Sequence, residues 1–144
     1  MKLQKSTLFA LYSVLESASR PERQLSAGAI ARKYGISPHH LAKVLHTLAR
    51  AGVVESVRGV GGGYRFAGNA KRLTLMDMIE LFENISAPER GARRRQRAGA
   101  GIERALGTVL SEIDAMAEAT LRSISIATML KLIGRQRRLS SITG

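Results

Sequence analysis

The polar chemistry of this chain is concentrated in three histidines and two groups of cationic side chains. His39, Lys43, His46 and Arg50 recur at helical spacing, with His40 and Thr47 flanking them. Imidazole, ammonium and guanidinium groups on one arc can donate hydrogen bonds to phosphates and to base edges. A second group follows closely: Arg58 and Arg65 bracket Gly59, Gly61, Gly62, Gly63 and Tyr64. Other chemistries lack their donors. The chain has no cysteine, which excludes disulfides, thiolate zinc sites and cysteine-ligated iron–sulfur clusters. His39 and His46 lie too far apart for one simple metal site, and no carboxylate accompanies them in that stretch. No nucleophile is paired with a base, so no catalytic residue, no enzyme activity, no metal and no cofactor are expected. The glycines form neither a dinucleotide fingerprint nor a phosphate loop, because a strand follows them and no Lys-Ser/Thr ending is present.

The elements that must hold these groups are readable around them. Gly35 can close one helix in the left-handed conformation, Ser37 can cap the next, and Pro38 suits its first position. Leu41, Val44, Leu45, Leu48 and Ala49 share the arc opposite the basic one, so the spacing predicts an amphipathic helix pinned by one face. Gly52 ends it. Val53 to Val57 is rich in β-branched residues and predicts a strand. A glycine turn that tolerates positive φ and close approach follows, with Tyr64, Arg65 and Phe66 beginning the return strand. A helix followed by a basic hairpin is the layout of a winged helix-turn-helix, whose helix enters the major groove while its wing reaches the backbone or minor groove.

Composition agrees with a polyanionic partner. Of 144 residues, 23 are Lys or Arg and 11 are Asp or Glu, a net charge of +12, and that sign points to nucleic acid or an anionic surface. The excess is uneven. Residues 1–75 hold 12 basic and 3 acidic side chains, and residues 86–101 hold five Arg and one Glu. Hydrophobic residues make up 44%, enough for a core. No apolar run reaches the roughly 18–20 residues of a membrane span. Lys2 and Lys5 before the apolar run Thr7 to Leu15 mimic a signal peptide. Glu16 interrupts that run, however, and Leu8, Leu11, Tyr12 and Leu15 predict an amphipathic first helix that Ser6 can cap.

The remaining segments follow in order. Ser26 begins a short second helix to Tyr34. Thr74 to Asp77 matches a capping box ahead of the stripe Leu75, Met78, Ile79 and Phe82, a fourth helix ending near Asn84. Residues 86–101, rich in Gly and Arg, read as a basic flexible loop. Ile102, Leu106, Val109, Ile113 and Met116 step by four, three, four and three, a coiled-coil-like seam that Leu121 continues in a shifted register. A helix with such a stripe needs a partner, and a second copy of the chain is the simplest. Ser125 can cap a last short helix, Ile126 to Ile133, folding back on the domain, and residues 135–144 read as a disordered basic tail.

These residues resemble the bacterial winged-helix regulators that include IscR and NsrR, the Rrf-two family. The resemblance rests on Ile30-Ala31, Gly35-Ile36-Ser37, Leu41 and Leu48, Ala51 to Val54, Ser56 to Gly59, Gly61 to Tyr64, and Leu75 to Ile79. It implies a cytoplasmic homodimer that binds double-stranded DNA, usually as a repressor reading a pseudo-palindrome. Three departures are visible. The cysteines that hold an iron–sulfur cluster in many members are missing from residues 87–105. Ala42 stands where many members carry Glu, and His40 where many carry an aromatic, so sequence preference is expected to differ.

The expected architecture is mainly α with a small β wing. A winged helix-turn-helix domain occupies residues 1–85, a basic loop residues 86–101, a dimerisation helix with a short terminal helix residues 102–134, and a basic tail residues 135–144. The expected DNA contacts are Ser26, Ser37, Pro38, His39, His40, Ala42, Lys43, His46, Arg58, Gly59, Gly61, Gly62, Tyr64 and Arg65. No membrane association is expected. An anionic effector or an acidic partner protein is expected, if any, at residues 87–101. Two other classes fit the same charge and stripe: a nucleoid or RNA-binding protein that ignores sequence, and a protein-interaction adaptor using the long helix.

Overall fold

The computed structural model describes residues 3–59, 62–83 and 101–143. In chain order, these form α1 (Lys5–Ser19), α2 (Ala27–Tyr34), α3 (Pro38–Arg50), β1 (Val54–Val57), β2 (Gly63–Phe66), α4 (Leu75–Phe82), α5 (Gly101–Ser123) and α6 (Ile126–Thr143). The described residues are mostly helical, with one small antiparallel sheet.

Helix α3 is the centre of the core. Leu41, Val44, Leu45 and Leu48 are at most 2% exposed, as the apolar arc requires. They share one cluster with Ala10 and Val14 of α1, Ile30 of α2, Met78 of α4 and Ile126 of α6. The strands pair Val54 with Phe66, Glu55 with Arg65, Ser56 with Tyr64 and Val57 with Gly63. A third edge, absent from the sequence reading, comes from Leu25. Its backbone N–H donates to the Tyr64 carbonyl and its carbonyl accepts from the Tyr64 N–H, both at 2.8 Å. The approach is close enough that a Cβ on Gly63 would lie 2.4 Å from the Leu25 carbonyl oxygen. The wing is therefore pinned to the segment leading into α2, and Gly63 is required for close approach.

The helix ends show how local chemistry sets boundaries. Ser26 accepts from Ala29 N–H, Ser37 from His40 N–H, and Thr74 and Asp77 form a reciprocal capping box. Gly35 ends α2 at φ 63° and Gly52 follows α3 at φ 77°. Ser6 does not cap α1, contrary to expectation. It lies inside the helix, and the Gln4 N–H is met instead by the Glu83 carboxylate at 2.8 Å, which also accepts from the Thr7 hydroxyl at 2.7 Å. An anion from beyond α4 thus sits at the positive end of α1.

The end of the chain also differs from expectation. Helix α6 continues to Thr143 rather than stopping at Ile133, so the segment expected to be a disordered tail is helical through that residue. Ser125 caps it by accepting from the Thr128 N–H. Beyond Ile133 the sequence has no proline, and Arg, Gln and Leu are good helix formers. Gly134 alone costs about 1 kcal/mol, which the continuing helix tolerates. The start of α6 is stapled into the domain. Leu75 N–H donates to the Ile124 carbonyl at 2.9 Å, Ile126 N–H to Leu73 and Ala127 N–H to Ala70, both at 2.8 Å. Ile126 is fully buried.

Candidate nucleic-acid interface

The surface of α3 is the reverse of its core face. Ser37, Pro38, His39, Ala42, Lys43, His46 and Arg50 are all exposed. Four of them offer cationic or hydrogen-bonding groups along a single helix, and among the described residues no carboxylate pairs with Lys43 or Arg50. Pro38 and the Ser37 cap open this face by fixing where the first turn begins. Ser26 does the same for α2, so these two serines set the starts of both helices of the helix-turn-helix.

His40 does not share that face. Its Nε2 lies 2.9 Å from the Ser6 hydroxyl, and its ring meets Phe9 edge-on at 5.0 Å between centroids. The side chain expected among the DNA contacts is thus turned onto α1, where it fixes the start of α3. The spacing left this open, because His40 sits on the boundary between the two arcs.

The wing separates its two arginines in a similar way. Arg58 is exposed after β1 and has no ion-pair partner among the described residues. Gly59 follows at φ 120°, a backbone strained for any side chain, and its carbonyl accepts from Gly62 N–H at 2.9 Å. Arg65 donates twice to Glu55 directly across the sheet, at 2.9 and 2.5 Å. Tyr64 packs against the core, so its place in the fold is structural. Gly61 and the arginines at 90, 93, 94, 95 and 97 lie outside the described residues, as does most of the loop expected to receive an effector.

Helix α5 presents the opposite pattern. Ile102, Leu106, Val109, Ile113 and Met116 are between 52% and 77% exposed, and Leu110 joins them at 47%. Leu110 falls outside the four-three steps and was missed for that reason. Leu121 is half-buried, near the end of the helix that meets α4. There Arg122 donates to Glu80, and that hydrogen bond and the charge of Glu80 raise the Arg122 guanidinium pKa further. The ion pair ties the base of α5 to α4, while among the described residues nothing buries its apolar stripe.

A further polar cluster lies on the other side of the reader. Glu16 accepts from Lys33 and from the Tyr34 hydroxyl. Burial alone would raise the Glu16 carboxyl. The two hydrogen bonds, with the charges of Lys33 and Arg137, outweigh burial and hold it below its ordinary value. Burial first, then the bond to Glu16, push the Tyr34 phenol above its ordinary range. Sequence reasoning placed Glu16 only as an interruption and Arg137 only in a tail, because their proximity exists only once α6 folds back.

Known proteins share this fold. A family model, Rrf2, described as an iron-dependent transcriptional regulator, matches residues 3–132. BadM of Rhodopseudomonas palustris, which bears the name of an HTH-type transcriptional regulator, is 55% identical over 138 residues, covering 96% of this chain and 86% of BadM. The structure of T. potens IscR superposes with a TM-score of 0.71 at 26% identity, covering 91% of this chain and 87% of that one. Oxidized Staphylococcus aureus CymR has the same fold, with a TM-score of 0.72 at 20% identity over 90% of this chain and 96% of that one. Among the described residues the family's iron has no seat. The sequence offers no cysteine, and among the described residues no three His, Asp or Glu side chains gather within reach of one ion. The donor set does not fit an iron–sulfur cluster. With its helix-turn-helix and wing in place and the family model matched over residues 3–132, the chain belongs to the Rrf2 family of transcriptional regulators.

Proposed function

We propose that this regulator acts as a homodimeric repressor that reads a pseudo-palindromic operator without an iron–sulfur cluster. The observation that carries the reading is the division of α3: its apolar arc is sealed in the core, and its outer arc presents His39, Lys43, His46 and Arg50 with Ala42 between them. A helix held in this way enters the major groove, and Arg58 meets the backbone or minor groove beside it. Arg65, held by Glu55, is the weaker wing contact. Ala42 offers only a methyl group, which suits a thymine methyl or close approach of the helix.

The apolar stripe of α5 supports the dimer. Burying each such side chain is worth about 1.5–3 kcal/mol, and two copies placed about a two-fold axis bury the stripe against itself. The paired readers then face half-sites one helical turn apart, about 34–36 Å.

Selection of bound genomic fragments, followed by gel shift at raised salt, tests the proposal. A palindrome should emerge, and inserting half a helical turn between its half-sites should abolish tight binding. Equal binding to scrambled duplexes would instead assign the chain to sequence-indifferent nucleic-acid binding. Transcription from a promoter carrying the operator should fall when the protein is added.

A further inference from the structure

Helices α1, α2 and α6 line a half-open cleft of about 330 Å³. That is the volume of roughly ten water molecules and lies at the small end of ligand sites. Tyr12 and Tyr34 stack across one wall, 4.7 Å between centroids and 14° from parallel. Leu15 extends that wall, and Met129 and Ile133 of α6 form the facing one. The charges are not balanced. Glu16 is satisfied by Lys33 and Tyr34, whereas Arg137 at the rim has no hydrogen-bond or ion-pair partner among the described residues. The cleft therefore holds apolar walls and, with Lys33 and Arg137 set against Glu16, a surplus of one positive charge.

We infer that this cleft binds a small organic monoanion with an apolar body, and that its occupancy tunes operator affinity. Arg137 takes the anionic group, and the tyrosine pair with Leu15, Met129 and Ile133 takes the apolar body. The route to the reader is short. Tyr34 is the last residue of α2, and Gly35 to Ser37 lead straight into α3. The opposite wall belongs to α6, whose start is stapled beside α4 and follows α5 directly. A ligand held between Tyr34 and Arg137 thus ties the reading motif to the helix pair that joins the dimer. It shifts DNA affinity to the extent that it favours one arrangement of the two. Only this regulatory half rests on the proposed function; the binding half stands without it.

The probe is 8-anilinonaphthalene-1-sulfonate, an aromatic anion that fluoresces when it leaves water, with neutral N-phenyl-1-naphthylamine as its uncharged counterpart. The full chain should bind the sulfonate. R137Q, at an exposed position, should weaken that binding about tenfold and leave the neutral probe unchanged. Ile133→Trp, which fills the cleft, should weaken both. Val109→Lys, on the exposed stripe of α5, should leave the cleft-bound signal in place. Circular dichroism confirms folding of each variant. Unaltered sulfonate binding in both R137Q and Ile133→Trp overturns the site, and loss confined to Val109→Lys assigns the probe to the α5 stripe and overturns it equally. In gel shift, saturating sulfonate should change operator affinity at least threefold in the unmodified protein and not in R137Q. Unchanged affinity overturns the regulatory half. Failure of the proposed function is read separately, as absence of an operator without any probe.

Discussion

Helices α3 and α5 are both amphipathic, yet their apolar faces have opposite fates. In α3, Leu41, Leu45 and Leu48 are at most 1% exposed. In α5, Ile113 and Met116 are 54% and 67% exposed. The contrast separates two uses of one pattern. Where the stripe is buried within the chain, the polar face is what remains for a partner, and its chemistry identifies that partner. Where the stripe is open, the apolar face is what a partner would cover. An apolar period alone does not distinguish these cases, because it gives the face and not what covers it.

One substitution placed in both helices sharpens the contrast most. Leu45→Asp puts an unpaired charge in the centre of the core, which costs several kcal/mol or neutralises the acid. We expect the reader to unfold, seen as loss of cooperative thermal melting. Ile113→Asp should leave the melt of the isolated chain nearly intact. It should dissociate the dimer in sedimentation or light scattering and lower operator affinity by about 10²-fold or more, because the half-sites lose their coupling. A monomeric unmodified protein would break the comparison.

The wing supplies a smaller effect of the same kind, with one arginine unpaired among the described residues and the other engaged. Arg58→Ala should weaken operator binding by about 1–3 kcal/mol. Arg65→Ala should cost less, since Glu55 already holds that guanidinium. Equal losses would show that the cross-strand pair opens on DNA. Among the helix residues, Lys43→Ala should lower affinity, whereas His40→Ala should act mainly on stability, through Ser6 and Phe9.

The smallest expected effect comes from Glu16. Its carboxyl is held below its ordinary value of 4.5 in the folded chain, so folding favours the ionised form. That contribution is fully present above the unfolded value and is lost as pH falls through the lower folded one. The group is partly exposed, so the effect should stay below about 1 kcal/mol. Thermal melts between pH 6 and about 3 should show a shallower acid slope in Glu16→Gln than in the unmodified protein.

Much of this fold was readable because its boundaries are local. The Ser37-Pro38 start, the Thr74–Asp77 box and the glycine that ends each reading-motif helix each act within a few residues. What was not readable depends on distant partners. Glu83 caps α1 from the far end of α4, Leu25 pairs with Tyr64, and His40 turns to Ser6. None of these leaves a trace in sequence spacing. The outward face of α3 was legible from its period, except at His40 on the boundary between arcs. The cleft was not, since Tyr12, Tyr34 and Arg137 meet only after α6 returns over α1.

The backbone staple at Ile124–Ala127 makes α5 a lever. Its 23 residues span about 34 Å at 1.5 Å per residue, and among the described residues its C-terminal end is the anchored one. A swing of about 10° at that fulcrum carries the far tip about 6 Å sideways on this length. A modest torque at the anchored joint is thereby magnified across the arm, and two such arms back to back would turn a local adjustment into a change of stride between the readers.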